Sequence, residues 1–107
     1  MRLSTDQIQA ICQAATAAFG QGTSVWLFGS RVDDFKRGGD IDLLVRPHFR
    51  SAEDAAAGPQ QAFMQKIKML TLLERYLGER KIDLVVEQAQ DMRPIVEVAH
   101  KTGIRLQ

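Results

Sequence analysis

Apolar residues recur at intervals of three and four near the start of the chain, at Ile8, Ile11, Cys12, Ala15 and Phe19. That spacing gathers them on one face of a helix. Ser4 or Thr5 can cap its start and Gly20 and Gly22 end it. The period then shortens. Val25 to Phe28 is β-branched and aromatic and reads as a strand. Residues 29 to 39 form a polar loop, with one helical turn around Val32 to Phe35. Ile41 to Arg46 is a second strand, stopped by Pro47. The stretch 47 to 59, PHFRSAEDAAAGP, has a proline at each end and no period, and is expected to be a mobile loop, long for a compact domain. Gln60 to Leu77 carries Phe63, Ile67, Leu70, Leu73 and Leu77 on one stripe, the mark of an amphipathic helix, with Gly78 as its stop. Lys81 to Glu87 is a third strand. Asp91 can cap a last helix carrying Ile95, Val98 and Ala99; Gly103 ends it, and Ile104 to Leu106 form a terminal strand.

The order α-β-β-α-β-α, with a final short β, predicts an α/β (α+β) fold: a small mixed sheet of three to four strands flanked by helices. The strands are too few and too unevenly spaced for a doubly wound nucleotide fold. With 107 residues, the expectation is a single domain spanning 1–107. Hydrophobic residues at 45% and charged residues at 25% fit a soluble globular chain. A formal net charge of +1 supplies no global field for nucleic acid or acidic lipid, so direct nucleic-acid binding is not expected and charge chemistry must be local. Cys12 is the only cysteine, the start MRLSTDQIQA has no apolar leader core, and no apolar run is long enough to cross a bilayer. Together these point to a cytoplasmic setting without a membrane.

The local chemistry concentrates in WLFGSRVDDFKRGGDIDLLV, residues 26 to 45. In a strand, residues two apart share a face, so Asp40 and Asp42 stand side by side while Ile41 and Leu43 face the core. Their carboxylates can approach to about 4 Å, where two charges repel by about 4 kcal/mol at an effective dielectric of about 20. Such a pair lies in open water or holds a cation. Hard oxygen donors suit Mg²⁺, and two ions about 3.5 to 4 Å apart clamp the attacking and leaving oxygens of a phosphoryl displacement. Ile82-Asp83-Leu84-Val85 places a third acid in a hydrophobic strand. If that strand pairs beside the acid pair, Asp83 lies about 5 Å away, and register decides which way it faces. Gly29 lets backbone approach a phosphate, the Ser30 hydroxyl and neighbouring N–H groups can bind phosphate oxygens, and Arg31 can add a charge-assisted bond.

Other residues read more plainly. Alternating acids also serve to keep a strand edge solvated. Trp26 is expected to anchor the core, Cys12 to fill it, and His48 and His100, both isolated, to sit at the surface. Asp33 and Asp34 solvate the loop. Lys66, Lys68, Arg75, Arg80 and Lys81 make a solvated face that can also meet an acidic partner or RNA.

Phe28-Gly29-Ser30, a spacer of 31 to 39, Asp40-Ile41-Asp42 and the later Asp83 give the chain a resemblance to the minimal nucleotidyltransferase family of the DNA polymerase β-like superfamily, over residues 23 to 87. The resemblance implies a polymerase β-like nucleotidyltransferase fold. It implies transfer of a nucleoside monophosphate, AMP from ATP, to a hydroxyl with release of pyrophosphate. It implies two Mg²⁺ ions held by Asp40, Asp42 and Asp83, with Asp83 helping to activate the acceptor, and a triphosphate held by Gly29, Ser30 and Arg31. It further implies a separate helical HEPN-type partner protein, modified by this chain as the antitoxin of a toxin–antitoxin pair. Gly39 stands where family members often have serine, and Val32-Asp33-Asp34 follows Arg31 where they usually read Ala-Arg-Gly. Asp33, Asp34 and Gly39 leave open a second reading, a non-catalytic binding module that neutralises a partner by docking; a third, which the short chain disfavours, is a stand-alone transferase acting on a small-molecule hydroxyl.

Overall fold

A computed structural model describes residues 4–29, 41–48, 58–78, 81–88 and 90–107. Ser4, rather than Thr5, opens the first helix, α1 (Thr5–Phe19). Its hydroxyl accepts from the Gln7 amide while Gln7 Oε1 accepts from the Ser4 amide, so two otherwise orphaned donors satisfy each other's residues reciprocally. Gly20, at φ 99°, ends the helix. The remaining elements are β1 (Ser24–Phe28), β2 (Ile41–Arg46), α2 (Gly58–Leu77), β3 (Ile82–Val86), α3 (Pro94–Thr102) and β4 (Ile104–Arg105). Among the described residues these make three helices and one four-stranded mixed sheet of order β3-β2-β1-β4. β1 runs antiparallel to β2 and β4, whereas β2 and β3 are parallel. A parallel pair needs a crossover, and α2 lies within the one that joins β2 to β3.

Alternation along the strands divides the interior into two layers. Val25 and Leu27 of β1 and Ile41, Leu43 and Val45 of β2 meet Ile11, Ala14, Ala15 and Ala18 of α1 and Met69 and Leu73 of α2. Trp26, Phe28, Leu44 and Val85 point the other way and meet Val96 and Ala99 of α3. All five residues of β1 are therefore buried, because helices cover both of its faces.

Several expectations change in the folded chain. The helix expected from Gln60 begins at Gly58 and takes Pro59 into its first turn, where a missing N–H costs nothing. Residues 47 to 59 are thus not one loop: Gly58 and Pro59 are helical, Pro47 and His48 follow β2, and 49–57 lie outside the described residues, as does the turn expected at Val32 to Phe35. The buried stripe of α2 is Met69 and Leu73, with Leu70, Leu72 and Leu77 packed beside them. Phe63 and Ile67, expected on that stripe, are exposed. A 20-residue helix is about 30 Å long, whereas a six-residue strand spans about 20 Å, so one end of α2 outruns the sheet.

α3 differs too. Arg93, not Asp91, is its N-cap residue, and no side chain caps it. Asp91 instead accepts from the backbone amides of Gln88 and Arg93 and from the Arg93 guanidinium, which also donates to the Val86 carbonyl at 2.7 Å. This ties the end of β3 to the start of α3. Val96, Ala99, His100 and Gly103, spaced three, four and seven apart, form the inward face, and Ile95 and Val98 are left exposed. A Cβ at Gly103 would come within 2.4 Å of the Ala99 carbonyl oxygen. His100, expected at the surface, stands edge-on to Trp26 with ring centroids 4.5 Å apart and bonds to Glu87. His48 is exposed as expected. The half-buried Cys12 thiol donates to the Leu106 carbonyl, and burial pushes its pKa up. The terminal strand spans Ile104–Arg105, one residue shorter than expected. No helix among the described residues is long and apolar enough to cross a membrane.

Leu43→Ala opens the centre of the first layer and is expected to cost about 3 kcal/mol in urea unfolding. The Arg93 guanidinium holds the Asp91 carboxyl well below the usual carboxylate range. A depressed folded-state pKa stabilises above the unfolded value of about 3.9 and is lost as pH falls toward the folded value. Asp91→Asn is therefore expected to cost about 1 kcal/mol at pH 7, with the gap to the native protein closing progressively below about pH 4.

Candidate functional site

The position of Asp42 follows from its neighbours. Ile41 and Leu43 are fully buried toward α1 and α2. The residue between them must point to the opposite face. β3 lies parallel to β2 with Asp42 opposite Asp83 and Leu43 opposite Leu84. Residues in register on adjacent strands share a face, with backbones about 4.8 Å apart. The two aspartates therefore stand side by side on the face that carries α3. Asp42 is half-buried and Asp83 exposed. α3 packs on Trp26, Phe28, Leu44 and Val85 of this face, and the aspartates occupy the end where β2 and β3 begin.

On its other side, Asp42 is in register with Phe28 of β1, and the next residue is Gly29 at φ 77°. A Cβ on Gly29 would lie 2.1 Å from Asp42 Oδ2 and 2.9 Å from its Cγ. Glycine is required here twice over: for its left-handed backbone, and because the Asp42 carboxyl occupies the space of a side chain. Gly29, Asp42 and Asp83, far apart in sequence, thus converge at one end of the sheet. The other expected site residues, Ser30, Arg31 and Asp40, lie outside the described residues, together with Asp33, Asp34 and Gly39.

Any two ionised carboxylates brought to about 5 Å repel by about 3 kcal/mol at an effective dielectric of about 20. A divalent cation placed against both reverses the sign of that interaction. The donors are hard carboxylate oxygens, one or two of which commonly bind Mg²⁺ alongside waters and phosphates. Asp42 and Asp83 fit that ion in donor chemistry. Among the described residues no group of three or more His, Cys, Asp or Glu side chains is assembled around a common point. A second polar cluster on the same face had no local signal in the sequence. Trp26 lies beneath the Arg46 and Arg105 guanidinium groups, with Cζ 5.0 and 5.4 Å from the ring centroid. Glu87 bonds to His100 and lies 3.8 Å from Arg46 Nε. Its members come from five separate elements or their ends, so no short-range spacing announces it; the shared face of Leu44 and Arg46 with Trp26 is the one available hint.

No protein-family model and no curated protein matches this chain.

The seating of Asp42 on Gly29 is testable by a double-mutant cycle. Gly29→Ala is expected to cost about 2 kcal/mol or more, from the left-handed backbone and the clash together. In an Asp42→Ala background the backbone cost of about 1 to 2 kcal/mol remains while most of the clash is gone. Urea unfolding of the four proteins measures the coupling; strict additivity contradicts the seating.

Proposed function

We propose that this chain is a metal-dependent nucleotidyltransferase of the minimal, polymerase β-like kind. In this reading it transfers AMP from ATP to a hydroxyl of a helical HEPN-type partner protein, in the cytoplasm, as the antitoxin of a toxin–antitoxin pair. The observation that carries the reading is the register of β2 with β3, which sets Asp83 beside Asp42 next to the Gly29 bend. The motif Gly29-Ser30, Asp40-Ile41-Asp42, then Asp83 supports it from the sequence.

Asp42 and Asp83, with Asp40, would hold Mg²⁺. When bound, the metal neutralises phosphate charge and acts as a Lewis acid on phosphoryl oxygens. The rest falls to the chain itself. At the bend that Gly29 makes, backbone N–H groups and the Ser30 and Arg31 side chains would donate hydrogen bonds to phosphate oxygens. Asp83 orients the acceptor hydroxyl and receives its proton. The hydroxyl oxygen forms a bond to the α-phosphorus, the bond from that phosphorus to the bridging oxygen breaks, and pyrophosphate leaves with the electron pair.

The test is incubation with ATP labelled at the α-phosphate, Mg²⁺ and the purified product of the neighbouring gene. Label is expected on the partner, absent with a chelator, and reduced at least about 100-fold by Asp42→Asn or Asp83→Asn. Transfer that survives both substitutions together sinks the reading. Neutralisation of the partner that survives them identifies docking without catalysis.

A further inference from the structure

We infer that α2 carries a docking surface for an acidic amphipathic helix of another protein, on the side of the molecule away from the aspartates. Phe63, Met64 and Ile67 are exposed at 60%, 62% and 45%. At about 100° per residue, Phe63 and Met64 bound a stripe about 100° wide and Ile67 falls within it. Met69 and Leu73, which hold α2 to the sheet, lie on the opposite side of the helix. The stripe exposes apolar area on the order of 300 Å², a size often functional on a monomer.

Charge decides the occupant. Lys66 lies about 60° beyond Phe63, and Lys68 lies about 40° beyond Met64, so a lysine borders each side of the stripe. They are the only charged residues between Gln60 and Leu73. Neither has an ion pair with a described residue. A second copy docked here with the two stripes centred on one another would bring lysine against lysine, while Glu74, on the stripe's own bearing, lies two turns beyond Ile67. An apolar ridge with carboxylates along both margins complements the stripe in shape and sign, which is helix-on-helix recognition by anchors three and four residues apart. α2 packs on the face formed by Ile41, Leu43 and Val45, whereas Asp42 and Asp83 stand on the other. Docking therefore leaves the aspartates accessible, and the inference does not rest on nucleotidyl transfer.

The experiment is selection of displayed 18-residue helices, each with a leucine stripe and randomised flanks, against the purified protein. Enrichment of Asp and Glu at the flanks is expected. Phe63→Ser should weaken the selected peptides roughly tenfold or more. Lys66→Glu with Lys68→Glu should turn the flank preference to Lys and Arg. All three positions lie on the helix surface, and circular dichroism with urea unfolding checks that each variant is folded. Asp42→Asn should leave peptide binding unchanged, so failure of this surface and failure of the catalytic reading are separate results. No enrichment, unbiased or basic flanks, or binding indifferent to Phe63→Ser overturns the inference. So does a dimer in sedimentation, or binding to anionic phosphatidylglycerol vesicles, that Phe63→Ser abolishes.

Discussion

The structure turns on one register. β3 lies beside β2 with Leu84 opposite Leu43, and Leu84 is buried in the layer shared with Met69 and Leu73 of α2. Because side chains alternate along a strand, a slip of one residue would bring Asp83 into that layer and expel Leu84. Core packing thus excludes the neighbouring registers, and the pairing of Asp83 with Asp42 follows from it. The juxtaposition of two like charges, unfavourable taken alone, is held in place by apolar contacts on the opposite side of the sheet.

The same constraint explains why the sheet has two dissimilar faces. One is uniformly apolar and takes α1 and α2, with Ala14, Ala15 and Ala18 lining the part of α1 turned toward it. The other is mixed. Its middle is apolar under Val96 and Ala99, its β2–β3 entry end carries the aspartates, and its far end carries the cluster around Trp26. α3 is short, and two polar attachments supplement its small apolar contact: Arg93 to the Val86 carbonyl, and His100 to Glu87. The placement of the helix over this face depends on these as much as on hydrophobic burial.

Gly29 links the strand framework to the site. It follows β1 immediately, and its left-handed backbone leaves room that the Asp42 carboxyl fills. The orientation of an acid on β2 is thereby coupled to the bend after β1.

Element order, strand alternation and helix periodicity were legible in the chain, because each depends on residues only a few positions apart. The outward direction of Asp42 belongs with them, since Ile41 and Leu43 had to be buried. Which side of a helix faces the core was less legible. Phe63, Ile67, Ile95 and Val98 keep helical spacing yet stay exposed, because where a helix meets the sheet depends on the lengths and crossings of other elements. His100 read as isolated because its partners, Trp26 and Glu87, come from elsewhere in the chain. Two aspartate-bearing strands and a glycine after the first strand could thus be read along the chain. That Asp83 lies opposite Asp42 and that Asp42 rests on Gly29 emerged from the folded chain alone, since inter-strand register and close backbone approach arise from packing between distant segments and leave no trace in local spacing.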